Sequence, residues 1–449
     1  MNLTEILKER EERFLIQKEM NKRWNSALVS FSLNIPGKNK NSKKFQPLYK
    51  IGAQELAHSP FEILDSKTTA QAVINCFKTS PEDLKNHFQN FEDNHPLGRF
   101  FDFDILDHKH TKLSRSSPRK CFVCHSNAKI CGRNRQHAPE TLLKHVSHQT
   151  KHYFCKLYSQ LALESLIEEV DCTPKPGLVD KNNNGSHQDM NHALFIKSAH
   201  SLKHYFYECT ERGFSFKGKN PSTFFKSLRP LGIQAEKTMF ETTGGVNTHK
   251  GAIFTLGLHC AALGYFIAQG KALTPNSLLA FHQLVRQMCS STLLKELKKS
   301  TNKTAGEKAY KAFGIGGIRQ EAAHGYPFVY FKALSYYQNQ QKETDKDTAT
   351  IKAFLYLLKN TDDTNVIKRG GLESLTLVKQ MAKRTLEQQP FNIQSVIEMD
   401  NFFISKNLSP GGAADLLALL LFLSKCLKTE SHSIFLRKDL LIDSLFSRS

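Results

Sequence analysis

Phe101-Asp102-Phe103-Asp104-Ile105 decides the fold of the first part of the chain, because apolar and acidic residues alternate along it with the two-residue period of a β-strand. The apolar side chains would face a core, and the two carboxylates would project together from the other face, roughly 7 Å apart. Carboxylates at that spacing can both reach one or two divalent cations such as Mg²⁺. An Asp-x-Asp strand face is more often merely solvated, so the pair alone is only a candidate metal site.

The sequence around this pentapeptide predicts further elements of both kinds. Alternation of apolar and polar residues from Ala27 to Ile35 indicates a second strand, which a Pro-Gly pair ends. Apolar residues at helical spacing predict a helix that ends near Trp24, and Ser80-Pro81 has the N-cap residue and the first-turn proline of another helix. Residues 1–150 are therefore expected to form a domain of mixed α and β structure.

From residue 151 onward the apolar residues recur at helical spacing without another alternating strand, so residues 151–449 are expected to form an all-α domain. A chain of 449 residues also exceeds the size at which single cores stop growing, about 250 to 300 residues. We therefore place a domain boundary near residue 150. The polar stretch Gln338–Thr348 is interpreted as a flexible surface loop. Helices are predicted at Tyr153–Val170, Met190–Arg212, Lys250–Gly270, Pro275–Lys299, Thr348–Leu358, Leu372–Glu387 and Ala413–Lys428.

The net charge is +20, from 62 Lys and Arg against 42 Asp and Glu. Residues 1–150 hold 24 against 16 and the rest of the chain 38 against 26, so no basic tail concentrates the excess. Charge spread in this way suits polyanionic small molecules or an acidic protein as well as a nucleic-acid backbone. His108–Pro139 differs, since it holds eight Lys or Arg and no acidic residue; it is either a local anion-binding surface or a solvated loop.

The apolar patterning favours neither secretion nor membrane insertion. The longest uninterrupted apolar run, Leu416–Leu423, is far shorter than the roughly 18 residues that a membrane span requires. Charged residues also lie where the apolar stretch of a signal peptide would be. We expect a cytoplasmic protein with no membrane partner, whose ten cysteines are buried thiols or metal ligands.

Cys121, Cys124, Cys131 and His137 form the pattern Cys-x2-Cys-x6-Cys-x5-His. Three thiolates and one imidazole suit tetrahedral Zn²⁺, and the first spacing is that of a zinc knuckle. The other spacings match no standard zinc finger, so reduced and partly buried cysteines are an equal alternative. The pattern predicts a candidate structural zinc site.

Loops between the predicted helices carry other candidate residues. The stretch from Thr242 to Lys250 contains Gly244 and Gly245 and leads into an apolar helix, so its backbone N–H groups and Lys250 could bind phosphate. It is not a P-loop, because the spacing of that motif and its preceding strand are absent. Carboxylates at loops or predicted helix starts are helix caps more often than metal ligands; those of this chain are Asp180, Asp362, Asp363 and Asp415.

Long ordered motifs in both parts resemble known families. Val29–Gly37, His95–Ile105, Arg119–Cys124 and Cys131–His137 resemble the apo-citrate lyase phosphoribosyl-dephospho-CoA transferase family. Residues 155–425 are similar to the triphosphoribosyl-dephospho-CoA synthase family, so the whole resembles a fusion of the two enzymes that make and attach the citrate lyase prosthetic group. The segments that carry this second resemblance are Thr173–Asp180, Asn182–Met190, Leu228–Glu236, Thr243–Gly251, Gly314–Gly325, Asp362–Gly371 and Ser409–Leu417.

The resemblance implies two consecutive reactions. In the second part, the ribose 2′-hydroxyl of 3′-dephospho-CoA attacks C1′ of the ATP ribose, which releases adenine and forms 2′-(5″-triphosphoribosyl)-3′-dephospho-CoA. In the first part, which is expected to be nucleotidyltransferase-like, a serine of the citrate lyase acyl carrier subunit attacks the α-phosphorus of that product and pyrophosphate leaves. Mg²⁺ is expected in both parts, and a nucleic-acid partner in neither.

The resemblance also implies roles for residues. Asp102 and Asp104 lie where the metal carboxylates of the transferase are expected, with Arg99 as a phosphate ligand. Lys368 and Gln320 depart from the synthase pattern, which usually has His and Gly at these positions. The synthase candidates for Mg²⁺ binding or general base are Asp180, Asp362, Asp363 and Asp415, and those for phosphate binding are Lys175, Arg229, Gly244, Gly245, Lys250, Arg319 and Arg369.

Two other functions would each explain single features. A basic zinc-containing nucleic-acid-binding protein would explain the charge and the cysteines, but it predicts a concentrated basic stripe with interleaved aromatic residues. A helical ADP-ribosyl-type glycohydrolase with an accessory domain would explain Asp362-Asp363 by analogy of fold, but it gives the N-terminal motifs no role.

Overall fold

The structure is a computed structural model that describes residues 3–37, 40, 42–115, 117–299 and 305–431. The chain divides into two compact units, which are described separately below. The first comprises the described residues up to Phe154 together with the short segment Ile267–Ala272. The second comprises the described residues of Cys155–Phe266 and Leu273–Lys428.

The first unit contains both helices and strands. In chain order, its elements are α1 (Leu3–Trp24), β1 (Ala27–Leu33), α2 (Gln46–Ala57), β2 (Ile63–Thr68), β3 (Val73–Phe77), α3 (Pro81–Asn94), β4 (Phe101–Leu106), α4 (Ala128–Arg133) and the beginning of α5 (Pro139–Asp171). The strands form one antiparallel sheet in the order β2-β3-β1-β4. The predicted mixture of α and β structure is confirmed. The sequence analysis did not predict β3, because its residues are almost all apolar and give no alternation.

β4 is an edge strand, and its two faces are those that the alternation predicts. The three apolar residues of the pentapeptide are buried, and the ring of Phe103 stacks on that of Phe88 in α3 with centroids 4.7 Å apart. Burial of each such side chain contributes about 1.5 to 3 kcal/mol, which fixes the orientation of the strand. Asp102 and Asp104 lie half-buried on the opposite face, each across from a serine of β1.

The second unit is helical, and no strand occurs in its described part. The prediction of an all-α region is therefore confirmed there. Besides the end of α5, its helices are α6 (His192–Ser201), α7 (Lys203–Ser215), α8 (Pro221–Thr243), α9 (Lys250–Ala268), α10 (Leu278–Lys298), α11 (Ala305–Phe313), α12 (Gly317–His324), α13 (Leu334–Glu343), α14 (Lys346–Asn360), α15 (Thr364–Leu386), α16 (Ile393–Ser405) and α17 (Gly411–Ser431).

Two predictions about individual helices are wrong. The helix predicted over Met190–Arg212 is two helices, since α6 ends at Ser201 and α7 begins at Lys203. The surface loop predicted over Gln338–Thr348 is mostly the end of α13 and the start of α14. Polar side chains suit the solvent-facing side of a helix as well as a loop, so composition alone could not separate the two.

α9 is the apolar centre of the second unit. Among the described residues it is the one helix long and apolar enough to cross a membrane by length and composition, and most of it is buried within the protein. Glycines let α7 approach it closely, because a Cβ on Gly213 would lie 2.1 Å from the carbonyl oxygen of Ala261. A Cβ on Gly264 would likewise lie 2.1 Å from the carbonyl oxygen of Thr210. A core helix of a soluble protein gives the same signal as a membrane span.

Candidate functional site

Asp102 is joined to a buried glutamate by one arginine. Arg119 donates from one guanidinium nitrogen to Oδ1 of Asp102 at 2.8 Å and from another to Oε1 of Glu92 at 2.6 Å. The same glutamate oxygen accepts a hydrogen bond from the backbone N–H of Phe103 at 2.9 Å. Burial raises the pKa of Glu92, and the charge of Arg119 opposes that rise. Arg119 therefore ties α3 to the face of β4 that carries the acidic pair.

Further cations lie around the same carboxylates. Asp104 forms an ion pair with Lys112, and Arg115 forms ion pairs with both Glu92 and Asp93. Burial lowers the pKa of the Arg99 guanidinium, and the neighbouring positive charges of Arg119 and Arg115 lower it further. Burial also lowers the pKa values of Lys40 and Lys85. The charge of Asp102 opposes this effect at Lys40, and the charge of Glu92 opposes it at Lys85.

The first unit therefore brings the predicted Asp102, Asp104 and Arg99 into one site, in which six cations surround four carboxylates. Such an excess of positive charge can bind a polyphosphate, because phosphate oxygens can replace the carboxylates as partners of the arginines. The sequence analysis did not identify Glu92, Arg115 or Arg119 as individual site residues. The signal was present, however, since Lys112, Arg115 and Arg119 all belong to the basic segment His108–Pro139.

Cys121, Cys124, Cys131 and His137 come together in the same unit. Each offers one ligand atom, and these atoms all lie within 4.8 Å of one another. Among the described residues this is the one cluster of His, Cys, Asp and Glu side chains whose ligand atoms converge in this way. The cluster could hold a metal ion, as the spacing predicts.

In the second unit, Asp363 links two helix N-termini. Its Oδ1 accepts from the backbone N–H groups of Asn365 at 2.8 Å and Val366 at 3.4 Å, which caps α15. Its Oδ2 accepts from the backbone N–H of Ala413 in the first turn of α17 at 2.8 Å. Burial raises the pKa of Asp363, although these backbone donors oppose the rise. Asp363 is thus a buried cap, which is the ordinary role that its spacing suggested.

Asp415 lies two residues farther along α17 and contacts a third helix N-terminus. It accepts a hydrogen bond from the backbone N–H of Ala252 in α9. A Cβ on Gly251 would lie 1.8 Å from Oδ2 of Asp415, so only glycine leaves room for the carboxylate there. Burial raises the pKa of Asp415 well above its usual range, and the negative charges of Glu169 and Asp363 add to the effect. The start of α9 and that of α17 therefore enclose an acidic group whose pKa is raised.

The candidate carboxylates Asp362 and Asp363 are neighbours in sequence but lie in different environments. Asp362 is about half exposed and forms an ion pair with Lys379, whereas Asp363 is buried. Burial raises the pKa of Glu321 in α12. His324 opposes this rise, and the negative charge of Asp362 adds to it. The sequence analysis quoted the segment that contains Glu321 but assigned it no role.

Lys175 and Asp180 organise one proline-rich loop. Nζ of Lys175 donates to Oε1 of Glu169 at 2.6 Å and to its backbone oxygen at 2.8 Å, and this lysine is only 1% exposed. Asp180 accepts from the backbone N–H groups of Lys175 at 2.9 Å, Asn182 at 2.7 Å and Asn183 at 3.0 Å. These contacts hold the loop and place a positive charge beside Glu169.

His249 precedes α9 and was not predicted as a site residue. Its Nδ1 lies 2.9 Å from Oγ of Ser198, which lies 2.7 Å from Oγ1 of Thr248. Its Nε2 is buried and has no hydrogen-bond partner in the described part of the protein. Burial lowers the pKa of His249 to about 3, and the charge of Lys175 contributes. The residue is therefore a neutral imidazole directly before the start of α9.

The predicted phosphate-binding cations of this unit do not converge. Arg369 donates to the backbone oxygens of Ser186 at 3.0 Å and Asn407 at 3.2 Å, so it clamps two loops. Gly244 and Gly245 have φ of 66° and 92° at the end of α8, and a Cβ on either would meet nothing within 4 Å, so this loop is open. The other three are exposed and paired with glutamates: Arg229 with Glu296, Lys250 with Glu236 and Arg319 with Glu307.

Comparison with known proteins accounts for nearly the whole chain. Residues 155–433 match the family described as CitG: ATP:dephospho-CoA triphosphoribosyl transferase. Residues 1–153 match the family described as CitX: Apo-citrate lyase phosphoribosyl-dephospho-CoA transferase.

Individual relatives match either the whole chain or its larger part. The chain is 33% identical to Protein CitXG of Haemophilus influenzae over 447 residues, which are 94% of this chain and 96% of that protein. It is also 33% identical to Protein CitXG of Leuconostoc mesenteroides subsp. cremoris, over 95% of this chain and 97% of the relative. The 2-(5″-triphosphoribosyl)-3′-dephosphocoenzyme-A synthase of Haemophilus ducreyi is 37% identical over 67% of this chain and 98% of its own.

Proposed function

Because the chain belongs to the CitX family of apo-citrate lyase phosphoribosyl-dephospho-CoA transferases through its first part and to the CitG family of ATP:dephospho-CoA triphosphoribosyl transferases through the rest, we propose that each unit carries the active site of one reaction. The protein is a bifunctional transferase. One observation supports this assignment of one reaction to each unit. The first family match ends at residue 153 and the second begins at residue 155, close to the domain boundary expected near residue 150.

In the first unit, the acyl carrier subunit of apo-citrate lyase supplies the attacking serine hydroxyl, and pyrophosphate leaves from the triphosphoribosyl product. Asp102 and Asp104 suit Mg²⁺, because both are hard oxygen donors on one strand face, half-buried, among groups that bind phosphate. When bound there, the metal would lower the pKa of the attacking hydroxyl and neutralise the leaving group. The side chains of Arg119, Arg115 and Arg99 bind the phosphates and stabilise the charge that develops on them.

In the second unit, ATP and 3′-dephospho-CoA react at the anomeric carbon of the ATP ribose. The transition state of such a displacement carries positive charge, which nearby carboxylates stabilise. Asp415 is the proposed proton acceptor for the 2′-hydroxyl, since its raised pKa makes the ionised form a stronger base. The triphosphate binds at the open loop of Gly244 and Gly245, where Lys250 follows.

The carboxylates of the second unit do not form a complete metal cage, because Asp363 already accepts backbone hydrogen bonds and Asp362 lies apart. Mg²⁺ usually binds through few protein carboxylates and several oxygens of the substrate phosphates and water, so ATP itself would supply most of its ligands in this unit. For the cluster of Cys121, Cys124, Cys131 and His137 we propose structural Zn²⁺, since thiolate and imidazole ligands suit that ion. Both reactions use metabolites of the cytoplasm, which we propose as the location.

The assignment predicts that the two activities separate by mutation. With ATP, 3′-dephospho-CoA and Mg²⁺, the protein should release adenine, and with apo-carrier subunit present it should modify that subunit. Asp102→Asn should lower carrier modification by roughly 10³-fold or more, since it removes a metal ligand, while adenine release stays within twofold. Mass spectrometry of the carrier and chromatography of adenine give the two readouts.

A matched control is Asp65→Asn, which changes a partly buried aspartate on β2 at the far edge of the same sheet. It should leave both activities unchanged. A protein that releases no adenine while folded would contradict the synthase assignment, and loss of both activities in Asp102→Asn would contradict two separate sites.

A further inference from the structure

We infer that the metal held by Cys121, Cys124, Cys131 and His137 positions Arg119 in the transferase site. The inference rests on the proposed function of the first unit. It assigns the metal a role in one of the two reactions only.

The cluster has the dimensions of a tetrahedral metal site. Sγ of Cys124 and Sγ of Cys131 lie 3.8 Å apart, and two thiolates on one tetrahedral Zn²⁺ with Zn–S bonds of about 2.3 Å are separated by about 3.8 Å. A disulfide would require about 2.05 Å. The backbone N–H of Val123 donates to Sγ of Cys121 at 3.5 Å, so the first thiolate also has a backbone partner. Nε2 of His137 is buried with no hydrogen-bond partner in the described chain.

Little besides a metal could hold this segment in place. Between residues 121 and 137, the only buried residues are the ligands Cys121 and Cys131. Phe122 is half-buried and packs its ring against that of Phe100 with centroids 5.3 Å apart. A segment with so little buried apolar surface needs a covalent or metal cross-link to keep one conformation. The four ligands supply that cross-link if they bind a metal.

The backbone of Arg119 belongs to the hairpin that the cluster closes. The carbonyl oxygen of Arg119 accepts from the backbone N–H of Ala128 at 2.9 Å, and Lys120 pairs with Asn127 in a β-bridge. Inside that bridge, the backbone N–H of Cys121 donates to the carbonyl oxygen of Ser126 at 2.6 Å. Two ligands lie in the hairpin, at Cys121 and Cys124. A third, Cys131, lies on α4, which begins where the hairpin ends.

The side chains of this hairpin reach the candidate active site. Arg119 contacts Asp102 and Glu92, as described above. The guanidinium of Arg99 donates to the backbone oxygen of Lys120. When the metal is lost, both arginines therefore lose the backbone that anchors them. Carrier modification should fall, and adenine release should not, because the synthase residues belong to the other unit.

The test uses the full-length protein. Metal content is measured by atomic emission, and Co²⁺ substitution by the thiolate-to-cobalt absorption near the ultraviolet. We expect about one Zn²⁺ per chain. Removal by a chelator in the presence of excess Mg²⁺ should lower carrier modification at least tenfold, leave adenine release unchanged, and be reversed by added Zn²⁺.

Variants separate the metal from the arginine. His137→Ala should lose zinc and carrier modification together, whereas His137→Cys should keep both, because four thiolates also bind zinc tetrahedrally. Arg119→Ala should keep zinc and lose carrier modification, and the control Arg133→Ala, exposed on α4, should keep both.

Each contrary result has a separate meaning. Zinc-free protein with full carrier modification would overturn the inference and the metal assignment but leave the proposed function standing. Zinc-containing protein whose modification activity survives metal removal would overturn the inference alone. An untreated, zinc-loaded protein that cannot modify the carrier would contradict the proposed function instead.

Discussion

Asp102 and Asp104 lie half exposed on an edge strand among side-chain cations, whereas Asp363, which is buried, and Asp415, which is partly buried, lie at helix N-termini among backbone N–H groups. In the first arrangement, arginines neutralise the carboxylates, and those arginines can exchange partners when phosphates arrive. In the second, neutralisation comes from backbone N–H groups that cannot move away. The difference shows two ways to handle one polyanion: mobile ion pairs favour a substrate that enters and leaves, and buried acids favour a fixed charge beside a reacting carbon.

The comparison predicts that the buried site is costly to folding and the exposed site is not. Asp415→Asn should lower adenine release by roughly 10²- to 10³-fold, because it removes the proposed base. The same change should raise the free energy of unfolding at pH 7 by about 1 to 3 kcal/mol, since a neutral amide replaces a buried acid. Urea denaturation and adenine release measured on one preparation check both.

The pH dependence of this effect has a definite sign. The folded pKa of Asp415 lies well above its usual value of 3.8, so the folded protein holds a proton that the unfolded chain has released. The contribution of Asp415 to the stability of the folded protein is fully present below the unfolded pKa. It is lost as the pH rises toward the folded pKa. The variant should therefore gain most over the parent at the alkaline end of that window. Asp347→Asn, an exposed change on α14, should show no gain.

His249→Gln tests whether the orphan imidazole serves the buried site. Loss of Nε2 should lower adenine release by about 10- to 100-fold and leave carrier modification unchanged, which steady-state assays of both reactions would show. The folded pKa is about 3 and the ordinary value is 6.5, so the neutral form stabilises the folded protein above pH 6.5. That stability is lost as pH falls from 6.5 toward 3, by about 1.4 kcal/mol per pH unit at most.

The glutamine variant should lack that acid-sensitive part of the stability curve. Thermal unfolding of parent and variant between pH 7 and pH 4 measures the difference. Equal acid sensitivity together with unchanged adenine release would remove His249 from the site.

The dependence of the two activities on salt should show the smallest difference between the two sites. Exposed ion pairs and phosphate contacts are screened within about 8 to 10 Å at ordinary ionic strength, whereas buried groups are screened much less. Raising the salt concentration from 50 to 300 mM should therefore raise the KM for the carrier subunit several-fold. The KM for ATP in adenine release should rise by a smaller factor. Initial-rate kinetics with both reactions in the same buffers give the ratio, and an equal response would remove the contrast.

The two sites also differ in how well the sequence could predict them. Alternation along β4 placed Asp102 and Asp104 on one exposed face, because a strand fixes side-chain direction by a local rule. The buried site depends on contacts between distant segments, such as Asp363 with Ala413, which no local spacing encodes. Asp362 and Asp363 were therefore equal candidates from the sequence, yet at the start of α15 only Asp363 is buried. Likewise, Arg229, Lys250 and Arg319 could be recognised as cations but not as partners of surface glutamates.

α5 runs as one helix from Pro139 to Asp171, and within it Phe154, which ends the N-terminal segment of the first unit, is followed by Cys155, the first residue of the second. The boundary between the two family matches thus falls inside a helix. A gene divided at the family boundary would end one product in mid-helix and leave buried side chains such as Phe154 and Tyr158 without half of their helix.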